Sequence, residues 1–196
     1  MRGSQNVDKR RRAQAWAQAI CSSSRVVILD TETTGIRSQD QVIELAVVDT
    51  HGNVLLETLV KPSCPIDPAA LRVHGLSEAH LAHAPEWPVV YRELRVIFDR
   101  ARLIVTYNAP FDRRLIEQTC RCYGLRLPDL SWDCAMRRFA EYAGPPPTES
   151  WRNYHRLGEA LQRLGIPHPG AHRAAADAEA CRRLVRAMAA GQPLRF

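Results

Sequence analysis

The chain has 196 residues and a mass of 22.1 kDa, with 45% hydrophobic and 24% charged side chains; that is globular composition, and it excludes disorder throughout. The formal net charge is +6, but five basic side chains (Arg2, Lys9, Arg10, Arg11, Arg12) and one acid, Asp8, fall in the first 24 residues. The remainder is close to neutral, so charge alone points only weakly to a polyanionic partner. The longest apolar run, Val26 to Leu29, is too short for a bilayer span or a signal-peptide core. No membrane partner is expected.

One unit of this length buries roughly 70% of its unfolded surface and needs no staple. Its six cysteines, Cys21, Cys64, Cys120, Cys122, Cys134 and Cys181, include no C-x-x-C pair. They fit neither a zinc site nor a disulfide framework, and reduced thiols in a cytoplasm are expected.

From Asp8 to Cys21, apolar residues recur at 3- and 4-residue spacing (Ala13, Trp16, Ala17, Ile20), which predicts an amphipathic helix packed on the domain. Arg25 to Asp30 is a β-branched run that reads as a buried strand, with Thr31 to Gly35 as its exit turn. Val42 to Val48 and Val54 to Val60 read as strands joined by a hairpin at His51-Gly52-Asn53. Pro62, Pro65 and Pro68 predict an extended connection.

A helix is expected over Pro88 to Arg100, a strand over Leu103 to Tyr107, and a helix over Pro110 to Tyr123 ended by Gly124. A short strand around Leu130 to Trp132 and a helix over Asp133 to Tyr142 follow. Gly144 to Pro147 and the polar residues after it read as a flexible loop, with Trp151 facing solvent. Tyr154 to Leu164 and Ala174 to Ala190 complete the helices. The expected fold is α/β, a mixed sheet with its first three strands antiparallel and helices on both faces. Residues 1–24 form a basic helix on the domain, 25–190 the domain itself and 191–196 a short tail.

Asp30 and Glu32 stand at i and i+2 at a strand end, so both carboxylates face the same way. Asp112 opens a helix beyond a neighbouring strand, and Asp177 lies in the last helix, five residues after His172. At about 4 Å, two like charges repel by about 4 kcal/mol at an effective dielectric near 20. Four carboxylates sharing a pocket therefore require cations or protons. An all-oxygen donor set suits Mg²⁺ or Mn²⁺. Two such ions can act on a phosphodiester, with an imidazole to take the proton of the attacking water, and His172 is the candidate base. The 172–177 spacing puts His172 just ahead of the helix or in its first turn, after Pro169-Gly170-Ala171.

Asp30-Thr-Glu32, Asn108-Ala-Pro-Phe-Asp112 and His172-Arg-Ala-Ala-Ala-Asp177 resemble, in order, the three motifs of the DEDDh family of 3′–5′ exonucleases, the DnaQ-like group that includes proofreading epsilon-type and RNase T-type enzymes. Asp30 to Gly35, Val42 to Ala46, Val73-His-Gly-Leu76 and Tyr154 to Gly158 resemble it as well, so the likeness covers about Arg25 to Ala189.

The resemblance implies a ribonuclease H-like fold with a five-stranded mixed sheet. It also implies hydrolysis of single-stranded DNA or RNA from the 3′ end to nucleoside 5′-monophosphates. By position, Asp30, Glu32, Asp112 and Asp177 would hold two divalent cations, Mg²⁺ or Mn²⁺, and His172 would be the general base. Thr33, Thr34 and Gly35 would run along the terminal nucleotide, and His74 and Leu76 would line its pocket. Asn108 would either meet substrate, orient Asp112 or cap the following helix.

Glu44, set in an apolar strand, is expected in a buried hydrogen-bonded network rather than on a metal. Phe111 reads as core. Expected partners are single-stranded 3′ ends, with a DNA polymerase or a second copy of the chain as further candidates. An adaptor subunit that binds a polymerase or nucleic acid is the competing reading. The tail Gln192-Pro-Leu-Arg-Phe196 resembles, in altered order, the Gln-Leu-Phe peptides that dock on sliding clamps.

Overall fold

The computed structural model describes residues 2–144 and 154–195. Trp151 and all of the expected loop after Gly144 fall outside them. A helix, α1 (Arg2–Cys21), precedes three strands, β1 (Val26–Thr33), β2 (Val42–Asp49) and β3 (Val54–Leu59). Two short helices, α2 (Pro68–His74) and α3 (Glu78–Leu81), lead to α4 (Trp87–Phe98), β4 (Leu103–Thr106) and α5 (Ala109–Cys122). The chain continues through β5 (Ser131–Cys134), α6 (Ala135–Ala143), α7 (Leu157–Leu164) and α8 (Ala174–Ala189).

The five strands form one sheet in the order β3-β2-β1-β4-β5. β1–β2 and β2–β3 are antiparallel, while β1–β4 and β4–β5 are parallel. Strand alternation distributes side chains between two cores. Val26, Ile28, Ala46 and Val48 face the layer of α1, α6, α7 and α8. Val27, Leu29, Leu45 and Val47 face α4 and α5 through Trp87, Leu94, Phe98 and Leu115. By the same alternation, Asp30, Glu32 and Glu44 point to the α8 side, and Thr31 to the α5 side.

Two expectations are corrected. Thr31 and Thr33 are strand rather than turn, because each finds a β2 partner, Leu45 and Val42 respectively. A register shift between Glu32 and Thr33 then ends the regular ladder at the strand's exit. The proline-rich connection also contains a helix. Pro68 takes the first helical position of α2, where the missing N–H costs nothing, and Asp67 caps it by accepting from Ala69 N (2.7 Å). Gly75, at φ 72°, closes α2 in the left-handed region.

Candidate active site

The acidic residues meet at the exit of β1. Asp30, Glu32 and Asp177 each offer one carboxylate oxygen within 4.8 Å of the other two. Two come from one strand face, and the third projects from the first turns of α8, which packs on that face. Asp112 reaches the same region from the α5 side, fully enclosed, with the Thr31 hydroxyl donating to its Oδ1 (2.9 Å). It lies outside the tight trio because α5 and α8 approach β1 from opposite faces.

Acidic charge outweighs basic charge in the cluster. Burial raises the Asp30 carboxyl well above the usual range, and Asp112, Asp177, Glu32 and Glu44 add to that rise. Glu32 is pushed up to about 8, by burial first and then by Asp177, Glu44 and Asp112, with Arg173 opposing. Asp112 is raised to about 6 by burial, against the lowering effect of its hydroxyl donors. Carboxylates held together at such a cost are a donor set that fits hard divalent cations.

Glu44 is not one of the trio. Its side chain is 3% exposed and accepts a forked pair from Arg173, Nη2 at 2.7 Å and Nε at 3.0 Å on Oε1, together with the backbone N–H of Ala174 (3.0 Å) on Oε2. Arg173 supplies no side-chain cap of its own. A glutamate from the neighbouring strand therefore caps α8 and fixes the helix start that carries Asp177.

His172 precedes this clamp by one residue, exposed and at φ 66°, an uncommon conformation for a residue with a Cβ. It is not the imidazole nearest the acids. His168 fills that place, its Nε2 lying 2.6 Å from Asp177 Oδ1, with the two side chains 14% and 13% exposed.

A groove of about 460 Å³ opens beside the trio, lined in part by Glu32, Thr33, Gly35, His74 and Phe111. It exists because α2 docks beside the β1 exit, where Thr34 O accepts from Asp67 N (2.7 Å). Gly35 is required there for space: a Cβ would come within 2.6 Å of the Asp40 carboxylate, which gathers the loop through Thr34 Oγ1 (3.0 Å) and Arg37 N (2.5 Å). His74 accepts from Leu76 N at Nδ1 (3.0 Å), which leaves the proton on Nε2. That buried nitrogen has no partner among the described residues. Burial holds the His74 pKa below the usual range.

Thr34, Leu76 and Asn108 are not among the residues that line this groove. Thr34 is fully buried, its hydroxyl donating to Asp40 and accepting from Gln41 N, so it holds the loop instead of facing the groove. Leu76 packs with Ile43 and Leu81 in a small core of its own. Asn108 occupies the N-cap position of α5 but makes no side-chain cap; its carbonyl accepts from Phe111 N (2.8 Å). Phe111, read as core, is half-buried on the groove wall with the Arg114 guanidinium 5.6 Å from its ring centre.

The RNase_T family, described as exonuclease, matches residues 27–185. This chain is an exonuclease of that family. A relative named uncharacterized exonuclease CP81, from Escherichia phage 186, is 34% identical over 172 residues, covering 84% of this chain and 88% of that protein. A DNA polymerase III subunit epsilon-like protein of Rhodobacter capsulatus is 31% identical over 176 residues, and the exonuclease spans only 24% of its length. Among solved structures, Exonuclease X in complex with 5′ overhanging duplex DNA superposes with a TM-score of 0.59 at 25% identity, covering 85% of this chain and 93% of that one. The nuclease domain of 3′hExo, a DEDDh family member bound to rAMP, superposes at 0.70 and 17% identity, covering 89% and 96%. That likeness establishes the ribonuclease H-like fold.

The exonuclease has groove residues that its sequence only hinted at. Ile36, Ala70 and Val73 present apolar surface to the groove, and Ile36 is 74% exposed. The i, i+3 spacing of Ala70 and Val73 was the available signal, masked by the prolines around it. His168 carried no signal, since a histidine between two prolines has no periodicity to read.

Proposed function

We propose that this exonuclease is of the DEDDh type and degrades single-stranded DNA or RNA from the 3′ end to nucleoside 5′-monophosphates. The observation that carries this reading is the carboxylate trio at the mouth of a groove with apolar and aromatic walls. Asp30, Glu32, Asp112 and Asp177 would hold two divalent cations, Mg²⁺ or Mn²⁺. When bound, these ions neutralise the cluster, raise the acidity of water and stabilise charge on the leaving oxygen. The groove orients the terminal nucleotide, with Phe111 and Val73 offering apolar surface and His74 Nε2 offering a hydrogen bond. His172 takes the proton of the attacking water at an imidazole nitrogen. Its exposure gives that nitrogen access to incoming solvent and substrate.

Oligomers of DNA and RNA labelled at the 3′ or the 5′ end, incubated with the protein and Mg²⁺ or Mn²⁺, test the polarity, sugar preference and product size together. Mononucleotides released from the 3′ end are expected, with hydrolysis abolished in Asp30→Asn and lowered about 10²–10⁴-fold in His172→Ala. Release of longer fragments, or normal turnover in Asp30→Asn, would overturn the reading. Relatives named polymerase III epsilon favour a second reading in which the chain also binds a polymerase. Copurification with a polymerase tests it.

A further inference from the structure

We propose that His168 is a positioning residue that holds the Asp177 carboxylate in its cation-binding orientation. The inference rests on the reading of Asp177 as a cation ligand. Strand pairing fixes the backbone of Asp30 and Glu32, and the Thr31 hydroxyl holds the Asp112 carboxylate. Asp177 is the last of the four, and among the described residues its carboxylate has one hydrogen-bond partner, His168 Nε2 at 2.6 Å.

The loop that presents His168 is stiff. Gly165, at φ 65°, ends α7, and Ile166 N closes that end on Leu161 O (2.9 Å). Pro167 and Pro169 restrict the backbone on either side of His168. The Pro167 carbonyl accepts from Arg183 Nη1 (3.1 Å), so the loop is tied to the same helix that carries Asp177. With the proton on Nε2, the imidazole donates to one carboxylate oxygen and removes the freedom of Asp177 to rotate away from Asp30 and Glu32. Hydrogen-bonded partners behind metal ligands typically contribute 10–100-fold in affinity or activity. The exposed His172 at φ 66° is left free for proton transfer, so the two histidines of this loop divide two tasks.

Mn²⁺ binding to the purified full-length protein, read by electron paramagnetic resonance without substrate, tests this directly. His168→Ala should weaken Mn²⁺ binding about 10–100-fold, and kcat at saturating Mn²⁺ should recover most of its wild-type value. His168→Gln, which returns an N–H donor at similar reach, should restore most of the affinity. The thermal midpoint in EDTA should be unchanged in both variants, which separates positioning from general damage. Unchanged or tighter Mn²⁺ binding in His168→Ala would overturn the proposal. So would loss of turnover at unchanged binding, which would make His168 a proton-transfer group. Asp177→Asn serves as the control for the underlying reading. If it binds Mn²⁺ like the wild type, the ligand assignment fails; if it loses binding while His168→Ala does not, only the role of His168 fails.

Discussion

Glu32 and Asp112 carry a stability cost whose sign can be worked out. Their carboxyls rise from 4.5 to about 8 and from 3.8 to about 6, because burial disfavours the charged form of both and Asp177, Glu44 and Asp112 add to the rise at Glu32. Below about pH 3 both groups are protonated whether the chain is folded or unfolded, and they impose no penalty. Above that, the unfolded chain releases protons that the folded chain keeps, so stability falls by about 1.4 kcal/mol per pH unit for each such proton until the folded values are passed. The thermal midpoint of EDTA-treated protein should therefore be lower at pH 8 than at pH 5.5, and Mn²⁺ should raise it more at pH 8. Asp30→Asn, which removes a buried carboxyl that itself holds its proton well above the usual range, should flatten both trends. A midpoint that climbs with pH in EDTA would contradict this account. The acids were legible in the sequence because i, i+2 spacing on a strand makes a shared face unavoidable. His168 was not, because its place depends on how a proline-flanked loop folds back onto α8.

α8 begins where Glu44 tells it to. The Arg173 guanidinium and the Ala174 N–H both end on this one buried carboxylate, which lies opposite Glu32 in the β1–β2 ladder. Removing Arg173 leaves Glu44 buried with only the helix N–H for company and adds an unpaired charge beside Asp30 and Glu32. Arg173→Ala should cost about 1–3 kcal/mol in urea unfolding with EDTA present. The double variant Arg173→Ala, Glu44→Ala should recover part of that loss, since no buried charge is then stranded. Simple additivity of the two single costs would show that the pair does not act as a unit. The expectation of a buried network at Glu44 came from an acid set among Ile43, Leu45 and Ala46. Its partner was not readable, because Arg173 is 129 positions away along the chain. The same distance between cause and effect hid α2. Three prolines read as extended chain, yet Pro68 stands at the one helical position that tolerates it, and the helix it starts builds a wall of the groove.

Across the whole molecule, the acidic site and the terminal segments lie at opposite ends of α8. Asp177 is in the opening turns of that helix, whereas α1 reaches its far end, with Gln14 and Gln18 both donating to Ala189 O at 3.3 and 3.2 Å. Arg10 donates to the Tyr142 hydroxyl (3.1 Å), and Trp16 Nε1 to Asp133 (2.7 Å), which fastens α1 to α6 and to the end of β5. The tail is drawn into this assembly. Gln192 donates to Leu164 O (2.5 Å), and its carbonyl accepts from Tyr142, so the glutamine that resembled a clamp-binding anchor is spent inside the fold.

Ile20, 4% exposed between α1 and the sheet, is the natural probe of this remote end. Truncation to alanine leaves a cavity that the packed helices around it only partly close, at a cost of about 2–5 kcal/mol. Because the damage lies away from the first turns of α8, Ile20→Ala should lower the urea midpoint while kcat on a 3′-labelled oligomer at low temperature stays near wild type. A fall in kcat under conditions where the variant is fully folded would show that α1 reaches the acids through α8, and that the remote end takes part in shaping the site.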